Sequence, residues 1–288
     1  MAADTAALVR PRARTAITSD AFNYIRDLVH GQSAIVLESG KEYLVESRLE
    51  PVARQWGFDS VQAMVDSLRP SRPGLLHRSV VEAMTNNETL FFRDPRVFSM
   101  LRSDILPALT ARLRSDRTLN IWCAACSTGQ EPYSLAMLLR EAPSCVGWRI
   151  NLLASDFSNE ALARARAGRY TQFEMNRGLP APMLVKYFKQ HRAAWEISPQ
   201  LQRAVQFEEI NLTRPWPAMP AMDLIVLRNV LIYFDTETRR KILGKITRRL
   251  APGGYLVLGA SESTVPVDAG FEAVSFEGMT CFRVQRER

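Results

Sequence analysis

The sequence predicts an α/β protein: a doubly wound, mostly parallel sheet, preceded by a small all-α domain and interrupted by a small β insertion. Three observations predict it. From about Leu119 onward, short apolar runs alternate with amphipathic helical stretches, the pattern of parallel strands joined by right-handed crossovers. Residues 17–84 carry only helical periodicity. The stretch from Tyr170 to Phe207 breaks the alternation and is too long for a plain connection.

The chain opens with residues 1–16, short on apolar residues and rich in arginine, which reads as a flexible tail. "SDAFNYIRDLVHG" follows as a helix with Ser19 as N-cap and Gly31 as stop. "KEYLVESRLEPVARQWG" sets Val45, Leu49, Val52 and Trp56 on one stripe and ends at Gly57. Two shorter helices are expected near Ser60–Leu68 and Gly74–Met84, separated by "RPSRPG". "LNIWCAA" then reads as a strand and "EPYSLAMLLREA" as a helix. "RINLLASD" is the next strand, followed by a helix "SNEALARARAG" capped by Ser158 and stopped by Gly168. "DLIVLRNV", "DTETRRKILGKITRRL" and "GGYLVLGA" give strand, helix and strand. "FEAVSFEG" and "TCFRVQR" close the chain as a hairpin turning through Gly278. Inside the insertion, "AAWEIS" and "AVQFEEI" are expected to pair as strands.

At 288 residues with 47% hydrophobic and 23% charged content, the chain has the composition of a soluble globular protein with a sizeable core. No apolar run approaches the ~20 residues of a membrane helix, and no signal-peptide pattern opens the chain. Cys123, Cys126, Cys145 and Cys281 show no disulfide-framework spacing, so a reduced, cytoplasmic protein is expected. A net charge of +7 suits an anionic partner: nucleic acid, an anionic membrane surface or an acidic protein. His30, His77 and His191 are scattered, and no metal site is expected.

Ligands of doubly wound sheets bind beyond the carboxyl ends of the strands, where strand order reverses. The loop Ala124–Gln130 is that place, but it has one glycine, Gly129, and an acid, Glu131, follows it at the helix start. A pyrophosphate favours a bare helix N-terminus; a carboxylate there competes with phosphate and attracts a cation. Pro132 is expected at the first helical position. Asp156 ends the second strand, where an acid accepts hydrogen bonds from ribose hydroxyls. Each acid also has a plainer reading: Glu131 as complement to the helix dipole, and Asp156 as a helix cap, a role Ser158 already fills. Successive βα units place both acids at strand ends, which favours a cationic, phosphate-free nucleoside ligand, and S-adenosylmethionine has that chemistry. "CAAC" is weighed as a redox or zinc motif, but Cys123 lies inside the strand and no second pair exists, so packing at a tight strand end is preferred.

"MTNNETLFFRDPRVF", "CAACSTGQEPYSLAMLL", "ASDFSNEALARARAGRY", "NLT", "LRNVLIYFD" and "LAPGGYLVLGASES" together resemble the CheR family of chemotaxis receptor glutamate methyltransferases, from about Ala16 to Val284. The resemblance implies a Rossmann-like class I methyltransferase fold with a seven-stranded sheet. Its domains are a helical domain over 17–84, a linker segment over 85–106 that contributes to the cofactor site, and a methyltransferase domain over 107–288. The insertion falls at about 170–207. It implies methyl transfer from S-adenosyl-L-methionine, leaving S-adenosyl-L-homocysteine, to receptor glutamate side chains, by a cytoplasmic monomer recruited to membrane-bound chemoreceptors. By motif position Asn87, Thr89 and Arg93 resemble the linker's cofactor residues. Glu131 and Asp156 resemble the acids that hold the cofactor's amino group and ribose. Asn211 with Leu212 resembles the pair beside the adenine, and Arg228 with Asn229 lies at the next strand end. Arg93 contacts either the cofactor carboxylate or the substrate glutamate. Tyr233 resembles the aromatic beside the transferring methyl, against its plainer reading as a core residue. Phe91 and Phe92 read as packing residues ahead of a helix capped by Asp94.

In the family a basic helix of the first domain faces the acidic methylation region of the receptor bundle, which carries over to Lys41 and Arg48. A solvated charged face is the alternative, since Glu42, Glu46 and Glu50 share that helix. "YFKQHRAAWEIS" lacks the Gly-x-Gly turn of members that tether to a receptor's C-terminal pentapeptide, so recognition of the methylation helices alone is expected. Two other functions fit a cofactor-binding sheet. A nucleic-acid methyltransferase is motivated by the charge, but "RNVLIY" stands where base-amine methyltransferases carry an Asn/Asp-Pro-Pro-aromatic motif. A non-catalytic cofactor-sensing module is the third.

Overall fold

A computed structural model describes residues 17–262, 270–276 and 278–284; the expected flexible tail lies outside them. The chain divides into two compact units, one of residues 17–32 and 37–84, the other of residues 33–36 and the described residues from 85 onward.

The first unit is helical: α1 (Ser19–Ser33), α2 (Glu42–Gln55), α3 (Val61–Leu68) and α4 (Leu75–Met84). α1 begins one residue earlier than expected, because Thr18 Oγ1, not Ser19, accepts from a first-turn amide, that of Ala21. Gly31 does not stop it; the glycine is exposed and the helix runs on to Ser33. On α2 the buried stripe is Val45, Leu49, Val52 and Ala53, whereas Trp56 lies beyond the helix and is 40% exposed. Gly57, at φ +80°, ends that segment as expected. Ser60 caps α3 by accepting from the Ala63 amide.

The second unit starts with α5 (Pro95–Met100), a π-helical turn Leu101–Ile105 and α6 (Leu106–Arg112) in one continuous run. The wide turn precedes Pro107, which has no N–H to give an α-helical hydrogen bond. Then come β1 (Thr118–Ala124), α7 (Gln130–Glu141), β2 (Arg149–Asp156) and α8 (Asn159–Ala167). The insertion follows as β3 (Arg169–Thr171), α9 (Gln172–Met175), α10 (Ala181–Tyr187), β4 (Phe188–His191) and β5 (Ala194–Ile197). α11 (Pro199–Gln202), β6 (Val205–Glu209), β7 (Met222–Leu227), α12 (Thr236–Arg249), β8 (Leu250–Leu258), β9 (Phe271–Phe276) and β10 (Met279–Val284) complete it.

The seven-stranded sheet has the order β6-β2-β1-β7-β8-β10-β9. β6, β2, β1, β7 and β8 are parallel, and β10 runs antiparallel to both its neighbours, β8 and β9. Alternate residues of the central strands feed two separate cores. Ile121, Cys123, Leu224 and Val226 join a cluster with α5–α7, while Trp122, Ala124, Ile225 and Leu227 join one with α12. Burial on both faces is why these strands read as continuous apolar runs.

The insertion corrects one expectation. "AAWEIS" and "AVQFEEI" do not pair: β5 sits between β3 and β4 in a separate antiparallel sheet, while β6 is the edge strand of the main sheet, beside β2. The connection from β5 to β6 turns through α11, which leaves the two strands in different sheets.

Candidate active site at the carboxyl ends of the central strands

Strand order reverses at β1, which is flanked by β2 and β7, and the cleft of the second unit opens beyond their carboxyl ends. It encloses about 870 Å³, counting its open mouth. Asn87, Thr89, Arg93, Glu131, Asp156, Asn211, Leu212, Arg228, Asn229 and Tyr233 all line it. Lys41 and Arg48 belong to the helical unit. Lys41 stands at the start of α2, and Arg48 donates to the Met84 carbonyl at 2.8 Å.

The β1–α7 loop is built for close approach. Gly129 has φ +95°, and a Cβ there would stand 2.9 Å from Ala165 Cβ and 3.0 Å from the Tyr170 hydroxyl, so only glycine fits. α7 starts at Gln130, one residue ahead of Glu131, which puts Pro132 third, not first, in the helix; its missing N–H is still one of the orphan donors of the first turn. Asp156 is buried and organises the loop. Its Oδ2 accepts from the Ser127 amide at 2.8 Å and its Oδ1 from the Ser158 amide at 2.9 Å. Ser158 caps α8, as expected.

Residues 87–92 bond to this loop and to the α7 start. Ser127 Oγ donates to the Asn87 carbonyl at 2.8 Å, and the Phe92 amide donates to Ser134 Oγ at 2.9 Å. Asp94 differs from its expected capping role. It has φ +60° and no side-chain cap bond; its carboxylate pairs with Arg228. Arg228, with a side chain 1% exposed, donates to Glu131 on one side and to Asp94 on the other. It also reaches the Arg93 carbonyl at 3.1 Å. Burial by itself disfavours the Arg228 cation, but the Glu131 and Asp94 carboxylates outweigh it and hold the guanidinium above its ordinary value. Glu131 is therefore no bare charge. One guanidinium between two carboxylates leaves that cluster one negative charge, and Asp156 adds to the negative character of the wall.

The cleft lining also carries donors. Asn86 Nδ2 donates to the Tyr233 hydroxyl at 2.6 Å. Arg93 gives one Nη1 contact, to the Glu88 carbonyl at 3.3 Å. The Tyr233 carbonyl accepts from the Val36 amide at 2.9 Å, and Ile35 forms an antiparallel bridge with Phe234. Asn211 Oδ1 is committed to its own turn, accepting from the Thr213 amide at 2.9 Å. Ile210, Leu212 and Phe157 give the cleft an apolar wall. Burial pushes the Cys123 and Cys126 thiols well above their ordinary range, with neighbouring carboxylates adding to the shift, which keeps both protonated.

Sequence reasoning did not single out Asn86, Asp94 as an Arg228 partner, Ser33, Ile35 or Phe157. Asn86 stands in the quoted "NNETLFFR", beside the residue chosen. The β-branched pair in "SAIVLES" was the available signal for the short bridge near Tyr233.

S-adenosylmethionine fits the residues present. Its ribose hydroxyls need an acceptor, and the buried Asp156 carboxylate, an acceptor of up to about four hydrogen bonds, lines the cleft. Arg228 Nε is a buried donor with no hydrogen-bond partner among the described residues, on a residue that lines the cleft; the cofactor's carboxylate is an acceptor of the right charge. The apolar wall suits an adenine.

Residues 87–279 match the family model for the CheR methyltransferase SAM binding domain, and residues 20–85 match that for the CheR methyltransferase all-alpha domain. Chemotaxis protein methyltransferase 1 of Pseudomonas aeruginosa is 40% identical over 247 residues, 84% of this chain and 89% of that protein. The Vibrio parahaemolyticus chemotaxis protein methyltransferase is 37% identical over 268 residues, 90% of this chain and 96% of that one. The Salmonella typhimurium chemotaxis protein methyltransferase is 31% identical over 289 residues, 99% of this chain and 96% of that one. Among solved structures, the N-methyltransferase NodS of Bradyrhizobium japonicum with S-adenosyl-l-homocysteine gives a TM-score of 0.38 at 17% identity over 68% of this chain and 91% of that one, too distant to add to the assignment. The switch-point cleft, its acids and the two family matches make S-adenosylmethionine the cofactor, and the chain belongs to the CheR methyltransferase family.

Proposed function

We propose that the protein transfers a methyl group from S-adenosylmethionine to glutamate side chains of chemoreceptors, forming glutamyl methyl esters. The supporting observation is the hydrogen bond from Asn86 Nδ2 to the Tyr233 hydroxyl at 2.6 Å. With a lone pair of the phenol oxygen taken by the amide, the phenol proton is available to donate to a carboxylate acceptor at the cleft. The bound cofactor supplies an electrophilic methyl group. A glutamate, with a reference pKa of ~4.3, arrives ionised at neutral pH and needs no general base. The protein's task is to hold the carboxylate in line, worth ~7–11 kcal/mol in favourable cases.

Asp156 accepts from the ribose in this reading. Glu131 acts on the cofactor's amino end while Arg228 holds its carboxylate in place. Asn87, Thr89, Asn211 with Leu212, and Asn229 complete the cofactor contacts, from a linker that comprises residues 85–106. Arg93, with its other guanidinium donors unengaged among the described residues, pairs with a carboxylate, of cofactor or of substrate. Lys41 and Arg48 meet the acidic receptor helices. Arg48's bond to Met84 makes Lys41 the better candidate of the two. The turn after β4 carries no glycine and has Arg192 at φ +56°, which supports recognition without a receptor-tail pentapeptide. A monomer working in the cytoplasm at membrane-bound receptors completes the proposal; among the described residues no helix is long and apolar enough to cross a membrane.

Labelled methyl transfer to receptor-enriched membranes followed by alkali tests it. Carboxyl esters release volatile methanol. Alkali-stable label, or label on nucleic acid, refutes the proposal, and no transfer to any acceptor favours a non-catalytic cofactor sensor.

A further inference from the structure

Glu262 is fully buried, in the short 3-10 turn Ala260–Glu262 after β8. Its carboxylate is held by main chain. Oε1 accepts from the amides of Val230 at 2.8 Å, Leu231 at 2.7 Å and Ile232 at 3.4 Å. Oε2 accepts from those of Asn229 at 2.7 Å and Gly259 at 2.9 Å. A buried carboxylate persists only when hydrogen bonds replace its hydration, and these five amides do so.

Four of the five donors are consecutive residues of the loop between β7 and α12, the loop that begins with Arg228 and carries Tyr233. Asn229 has φ +58°, a conformation that its own side chain tolerates but does not enforce. Gly259 marks the same junction independently. A Cβ there would lie 2.6 Å from Glu262 Oε2 and 3.0 Å from the Asn229 nitrogen, although its φ is one that alanine adopts. The residues on either side of this run have other anchors: Arg228 is pinned by Glu131 and Asp94, and Tyr233 by Asn86 and Val36. Between them the amides of residues 229–232 bond to Glu262.

We infer that Glu262 is a positioning residue for methyl transfer: its carboxylate templates residues 229–232 and so fixes the direction from which Tyr233 addresses the acceptor. This rests on the role given to Tyr233 above. Because Arg228 and Asp156 are anchored separately and Asn229 is one cofactor contact among several, loss of Glu262 acts on the chemical step more than on cofactor binding.

The test uses the full chain with Glu262→Gln, which puts an amide donor against backbone donors, and Gly259→Ala, which keeps the carboxylate but displaces it. Hydrogen exchange of the cofactor-free protein reads the template directly. Protection at residues 229–232 and 259 is expected to fall about tenfold or more in both variants, with distant core strands unchanged. Calorimetry with S-adenosylhomocysteine should give a Kd within about threefold of the wild type, while kcat on a receptor fragment, per cofactor-binding site, falls about tenfold or more. Undiminished loop protection overturns the inference, as does an unchanged kcat per site. If Glu262→Gln does not fold, Gly259→Ala decides by the same readings. Wild-type protein that methylates no receptor glutamate would sink the proposed function, and the exchange measurement would still decide whether Glu262 templates the loop.

Discussion

Replacing Arg228 with methionine tests the buried ion cluster that joins Asp94 to the start of α7. The guanidinium is 1% exposed and the Glu131 side chain 11% exposed, so Arg228→Met strands a carboxylate away from water. Breaking such a pair by removing one partner costs ~3–5 kcal/mol. Asp94 is 40% exposed, so water screens the loss there and it adds less than about 1 kcal/mol. Taking about 3 kcal/mol, the second unit should melt roughly 6–12 °C lower by scanning calorimetry. Glu131→Gln in the same chain removes the stranded charge. The double variant should therefore recover about 2 kcal/mol relative to the sum of the two single changes. Single losses that add to within about 0.5 kcal/mol would show that the two side chains are not energetically coupled and would refute the reasoning.

Three further outcomes follow from the same geometry. Asp156→Ala should weaken S-adenosylhomocysteine binding by about 3 kcal/mol, roughly a hundredfold, because the ribose acceptor and the Ser127 anchor go together; calorimetry reads it, and unchanged affinity contradicts the ribose assignment. Tyr233→Phe should lower kcat about 10–100-fold, and Asn86→Ala should add little once the hydroxyl is gone; independent, multiplying effects would break the link drawn from their 2.6 Å bond. Cys123 and Cys126, with thiol pKa values raised by burial, stay protonated at pH 8 and should resist alkylation until the chain is unfolded; rapid labelling of the native protein would show the strand end to be open.

The parallel sheet was legible because β1, β7 and β8 are buried on both faces, so each spells an unbroken apolar run between turn residues. The strand-end acids were legible for a related reason: topology fixes where a strand ends, and Glu131 and Asp156 stand at two such ends. What they touch was not. The Glu131–Arg228 pair spans 97 residues, and nothing near Glu131 announces a cation; Asp94 likewise looked like a local cap because its partner is 134 residues away. The insertion failed on short strands. β5 and β6 have only 4 and 5 residues, too few for periodicity to specify a partner, and α11 between them sends them to different sheets. Gly31 misled because an exposed helical glycine costs only ~1 kcal/mol, which the packing of α1 overrides.

The central claim is that the methyl acceptor is a carboxylate steered by Tyr233 at the mouth of a cofactor cleft. Tandem mass spectrometry of a receptor cytoplasmic fragment, after incubation with the enzyme and S-adenosylmethionine, tests it most directly. The account expects methyl groups on glutamate side chains, lost on mild alkali and greatly reduced with the Tyr233→Phe enzyme. Methyl groups on lysine, arginine or cysteine, or glutamate esters formed equally well by Tyr233→Phe, would contradict it.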